Sequence, residues 1–155
     1  MRISMSKGAV FVAGLALLAV GASSAAAAES PVGTWVRQAD AGRPEETMTI
    51  DSWGIGHTKL GTATTQPGSF ATIMSSLDGA DSPVIANGKA TTATVALTLL
   101  DAQTATSITK LDLQPIGASK WTFSPDFETL TIENDFAQAV PGTAAGRSTE
   151  HWTRE

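Results

Sequence analysis

From Pro31 to the C-terminus, apolar and polar residues alternate with a period of two, the spacing that places successive side chains on opposite faces of a β-strand. Val95, Leu97 and Leu99 fall on one face, with Thr94, Ala96 and Thr98 on the other. The same alternation sets Leu111 and Leu113 against Lys110 and Asp112, Trp121 and Phe123 against Lys120 and Thr122, and Leu130 and Ile132 against Thr131 and Glu133. Met48 and Ile50 repeat it between Glu46, Thr47, Thr49 and Asp51. Residues 55–62 and 70–77 are weaker strand candidates. A final strand is expected over 148–154, with Glu150, Trp152 and Arg154 opposite Thr149, His151 and Thr153. With a short strand at Trp35, the pattern predicts about eight to ten strands. No sustained 3.6-residue apolar repeat follows residue 30, so the predicted class is all-β.

Turn chemistry separates these runs. Asp78-Gly79, Asn87-Gly88 and Pro141-Gly142 can supply a positive or preset φ, and Ser124-Pro125-Asp126 starts a turn. Asp101-Ala102-Gln103 is too short for anything but a hairpin between residues 94–100 and 104–113. Residues 137–146, rich in Ala, Gly, Pro and Thr, read as an exposed loop before the last strand. Neighbouring strands joined by short turns form an antiparallel meander. Such a meander must hide its edges, most simply by closing into a barrel; a β-sandwich is the alternative. With about eight strands, a barrel interior is either filled by side chains or holds one small ligand.

The N-terminus follows a different pattern. Arg2 and Lys7 give a positive start, residues 9–20 an apolar core, and Ala25 to Ala28 the small residues of a cleavage site. Residues 1–28 therefore read as a helical secretory signal peptide, leaving residues 29–155 as a single β-domain. No cysteine stands at the cut to carry a lipid anchor. The expected location is periplasmic or secreted, with no membrane attachment after cleavage.

Removing residues 1–28 takes two of the ten basic side chains and none of the fifteen acidic ones. The mature domain then carries a formal charge of −7, which opposes nucleic-acid binding. The complete absence of cysteine means that no disulfide staples the fold, so its core must suffice.

Three short segments carry a family resemblance. They are Gly33-Thr34-Trp35, the stretch Leu77-Asp78-Gly79-Ala80-Asp81-Ser82-Pro83-Val84, and Ser124-Pro125-Asp126 running into Leu130-Thr131-Ile132. Together they resemble small exported bacterial proteins of lipocalin-like (calycin-type) shape, in which a Gly-x-Trp opens the first strand. Leu77 stands where that group usually has an aromatic residue, and Phe127 where it often has Gly. The resemblance implies that an arginine near the end of the last strand, Arg154 or Arg147, stacks on Trp35 and closes one end of the barrel.

Catalytic chemistry finds little support. His57 and His151 are the only histidines, too few for a zinc site without cysteine, although the two could meet across a barrel beside Glu150. No serine lies in a Gly-x-Ser-x-Gly or Ser-x-x-Lys context. The acids Glu45 and Glu46, and Asp78 with Asp81, read as solvated loop pairs. Asp78 and Asp81 lack calcium-loop spacing, and Gly54 and Gly56 are too few to cradle a phosphate. The sequence thus predicts a protein that is not an enzyme and uses neither metal nor cofactor.

Four tryptophans in a chain without tyrosine are the remaining chemical signal. Trp53, Trp121 and Trp152 are candidate contacts for a small apolar or amphipathic ligand, and Trp35 with Arg154 is the candidate closing pair. For Trp35 and Trp121 the plainer reading is core filling. The alternative function is an envelope structural or protein-interaction module with a filled interior.

Overall fold

The computed structural model describes residues 30–39, 43–56, 58–64, 70–140 and 143–155. The expected signal peptide, His57 and the Pro141-Gly142 turn lie outside these residues. Ten strands follow one another: β1 (Gly33–Arg37), β2 (Glu46–Ser52), β3 (Thr58–Thr64), β4 (Phe70–Ser75), β5 (Asp78–Ala86), β6 (Lys89–Leu99), β7 (Thr104–Leu111), β8 (Gln114–Phe123), β9 (Thr129–Phe136) and β10 (Gly146–Arg154). Each pairs antiparallel with its chain neighbour, and β1 pairs with β10 to close the barrel. Closure removes both sheet edges, which a sandwich would leave to be protected.

The alternating positions face as their polarity requires. Leu97, Leu130, Ile132 and Trp152 are buried, whereas Glu133, His151 and Thr153 are exposed. Val95 and Leu99 pack against the same core as Leu97.

Four local expectations are corrected. Leu113 does not continue β7: Asp112 and Leu113 adopt φ of 49° and 67°, forming the two-residue turn into β8, and Leu113 is exposed. A left-handed pair matches the twist of a tight hairpin and here overrides the apolar alternation. Residues 78–86 form a full strand, although Asp78-Gly79 reads as a turn and Pro83 lacks the N–H of a strand ladder. Register shifts between Asp78 and Asp81 and between Pro83 and Ile85 absorb these residues into β5. β3 begins at Thr58 rather than residue 55, since Ile55 lies in an exposed turn. β4 ends at Ser75, because Leu77 turns the chain with a φ of 56°.

Large inward side chains gather at one end of the barrel. Trp35 is fully buried, with its ring edge-on to Phe123 at 5.3 Å between centroids. Trp53 packs against the same Phe123 at 5.2 Å, and Phe127 at 6.0 Å. Phe127 holds a φ of 53°, a conformation natural to glycine, yet its ring is buried. Burial of a large ring outweighs the roughly 1 kcal/mol cost of one left-handed residue.

Arg154 locks this end to the N-terminal segment. Its guanidinium lies 5.9 Å from the centre of the Trp35 ring and donates to the carbonyls of Ser30, Phe127 and Val32. Gly33, at φ 148°, leaves the space: a Cβ there would lie 3.1 Å from Arg154 Nη2. The small residue two before the tryptophan is therefore what lets the arginine cross the strand. Arg147 lies elsewhere, exposed and paired with Asp135. An Arg154→Ala variant is expected to lose about 2 kcal/mol, from charge-assisted hydrogen bonds and the cation–π contact. Thermal melting should show a midpoint lowered by about 5–10 °C; an unchanged midpoint would remove Arg154 from the closing role.

Candidate functional site

Ten strands enclose more volume than eight, so a side-chain set that just fills a smaller barrel leaves space here. The inward residues beyond the closed end are often small: Ala71, Ala93, Ser107, Thr109 and Ser119. The result is an interior cavity of about 480 Å³. This volume falls within the range of about 300–1,000 Å³ typical of small-molecule sites.

The two sides of the cavity differ. Strands β2 to β6 contribute a mainly aliphatic wall of Met48, Leu60, Ile73, Val84, Val95 and Leu97, with Glu46, Thr62 and Thr91 as its polar members. Strands β7 to β10 contribute the polar residues Ser107, Ser119, Asn134 and Glu150 between the rings of Trp121 and Trp152. Register explains the polar row: Ser107 pairs with Ser119, and Ser119 with Asn134, so three inward positions fall at one level of the barrel.

These groups form two hydrogen-bonded sets, the pair Trp121–Ser107 and a network centred on Glu150. Trp121 Nε1 donates to Ser107 Oγ at 3.3 Å, and Ser119 Oγ donates to Asn134 Oδ1 at 2.6 Å. Asn134 Nδ2 donates to Glu150 Oε1 at 3.2 Å, and Trp152 Nε1 donates to Glu150 Oε2 at 3.3 Å. Arg43 Nη1 completes the set on Glu150 Oε1 at 3.2 Å. Desolvation pushes the Glu150 carboxyl above the usual glutamate range, an effect that outweighs the opposing attraction of Arg37 and the hydrogen bond from Trp152.

Glu46, expected to be solvated beside Glu45, instead lies in β2 with its side chain largely buried against Arg37 Nη2 at 3.0 Å. Pairing of Arg37 with Glu46 across β1 and β2 sets this, a contact between residues nine apart that local polarity does not reveal. Arg37 also lies over the Trp152 ring, 5.7 Å from its centre.

At the end away from Trp35 the cavity is bordered by described residues of the β9–β10 connection. Val140 and Thr143 bridge to each other and line the cavity, so this part of residues 137–146 is half-buried rather than an exposed loop. Phe136 also lines it; its ring packs on the bare backbone of Gly117, where a Cβ would sit 2.4 Å from Phe136 Cδ1.

Of the three candidate ligand-contacting tryptophans, Trp121 and Trp152 line the cavity together. Trp53 does not: it is spent on Phe123 at the closed end. His151 points outward from β10, on the face opposite Glu150. Asp78 and Asp81 do not act jointly. Asp78 accepts from Ser76 Oγ and Ala80 N, which holds its carboxyl below the usual range, and Asp81 pairs with Lys110 at 2.8 Å. Among the described residues, no group of three His, Cys, Asp or Glu side chains could hold a metal ion. Sequence reasoning missed Glu46, Ser107, Ser119 and Asn134 as cavity residues. Their only signal was a polar residue at an inward-facing position, which is legible once the register is known.

In comparison with known proteins, the chain matches no family model, no curated protein and no solved structure.

Proposed function

We propose that this protein is an exported, non-enzymatic barrel of lipocalin-like type that holds one small apolar or amphipathic molecule in its interior. The observation that carries this reading is the cavity of about 480 Å³, with aliphatic residues on one side and Trp121 and Trp152 on the other. A filled interior would favour the interaction-module alternative; space lined this way favours a ligand. Export rests on the N-terminal sequence pattern, and the lipocalin-like assignment on the Gly-x-Trp opening and on Arg154 lying over Trp35 at the closed end.

Because two tryptophans line the cavity, intrinsic fluorescence reports its occupancy. Burying an eight-carbon chain is worth about 6 kcal/mol at ~0.8 kcal/mol per methylene, a Kd of order 10–100 µM. Titration with 1-octanol should therefore change the emission saturably in that range. No response to 1-octanol, nor to naphthalene as an aromatic probe, would refute the binding role. Native mass spectrometry of protein purified from the cell envelope should show a retained small molecule.

A further inference from the structure

The polar wall turns most of its N–H donors on its own members. The N–H groups of Trp121 and Trp152, the Ser119 hydroxyl and one Asn134 N–H all donate to other groups of the wall. What remains toward the cavity is the carboxylate oxygens of Glu46 and Glu150, beside hydroxyl groups that can both donate and accept. Among the described residues, the ionisable ones lining the cavity are Glu46 and Glu150, whereas their partners Arg37 and Arg43 are not on the lining. A guest with an anionic head would meet carboxylate oxygens. One with N–H donors and positive charge would meet acceptors in a low-dielectric site, where such contacts are strongest.

Building on the binding role proposed above, we infer that the cavity selects amines: its ligand is a small amphiphile whose protonated amino group sits against Glu150, Ser119 and Glu46. Its apolar body lies on the aliphatic wall of Met48, Leu60, Ile73 and Val95. A cationic head also offsets the desolvation that burdens the buried Glu150 carboxylate. The preference for a cation over an anion follows from the two carboxylates on the lining, and the place of the tail from the aliphatic residues opposite Trp121 and Trp152.

The test uses three probes with the same tail: octylamine, 1-octanol and octanoate. Each is titrated at pH 7.5 in 0.3 M salt, which screens attachment to the acidic outer surface. Octylamine should bind at least ~10-fold more tightly than 1-octanol, and octanoate at least ~10-fold more weakly. In Glu150→Gln the amine-to-alcohol ratio should fall toward one. If that variant does not fold, Glu46→Gln should reduce the same ratio. Val95→Trp, which fills the cavity from the aliphatic side, should abolish binding of octylamine and 1-octanol alike.

Octanoate binding as tightly as octylamine, or an amine preference unchanged in the glutamine variants, overturns amine selection while 1-octanol binding leaves the cavity's role intact. Octylamine binding that survives Val95→Trp also overturns it, by placing the amine outside the barrel. No binding of any probe overturns both readings.

Discussion

Trp35→Ala is expected to destabilise the protein by about 3–5 kcal/mol, the cost of removing a large aromatic from a core that only partly collapses around the gap. Trp35 is fully buried, and its Nε1 donates to the Pro31 carbonyl at 2.9 Å. Its ring meets Phe123 edge-on and lies beneath Arg154. Removing it deprives the aromatic cluster of its centre and the Arg154 guanidinium of its platform. The loss approaches half the total stability of an ordinary domain, about 5–15 kcal/mol. Urea unfolding should show the midpoint collapse. Trp35→Phe, which keeps the ring but not the indole N–H, should recover much of the difference. Equal loss in both variants would mean that the hydrogen bond to Pro31, not ring packing, holds this end.

Glu150→Ala should cost about 3 kcal/mol, since it leaves the Arg43 guanidinium, the Asn134 amide and the Trp152 indole N–H without their shared acceptor. Glu150→Gln keeps one acceptor oxygen and should cost less. The pair of variants separates loss of hydrogen bonds from loss of charge.

The raised pKa of Glu150 also fixes a pH dependence. In the folded state the carboxyl holds its proton more tightly than at the ordinary value of 4.5, so the stability it lends is complete below that value. That contribution is lost as pH rises through the folded pKa. The stability of the wild type relative to Glu150→Gln should therefore decline as pH is raised from 4 towards neutrality. Denaturant titrations across that range would show it. A difference that grew with pH would mean that attraction to Arg37 and Arg43 exceeds the desolvation of the charge.

Much of the fold is a local property of the chain. A strand shows only two faces, so the alternation in Leu97 and Leu99, or in Leu130 and Ile132, identifies the inward side without knowledge of the neighbours. Asn87-Gly88, with φ of 51° and 77°, likewise makes its hairpin from its own backbone preferences. Where local signals conflicted, tertiary pairing decided. The Pro and Gly of β5 are tolerated because bulges absorb them, and Leu113 is left exposed because the turn requires its backbone more than the core requires its side chain.

The sequence by itself determined an all-β chain, its antiparallel succession of strands, the inward residues of most of them, and the tryptophans available to a cavity. Only the tertiary structure decided that the sheet closes through β1 and β10, that Trp53 belongs to the closed end, and that Ser107, Ser119 and Asn134 share one level beside Glu150. The reason is physical. Which way a side chain points repeats every two residues, but which side chains meet across a barrel depends on the register of strands far apart in the chain, and the size and polarity of a cavity are sums over those meetings.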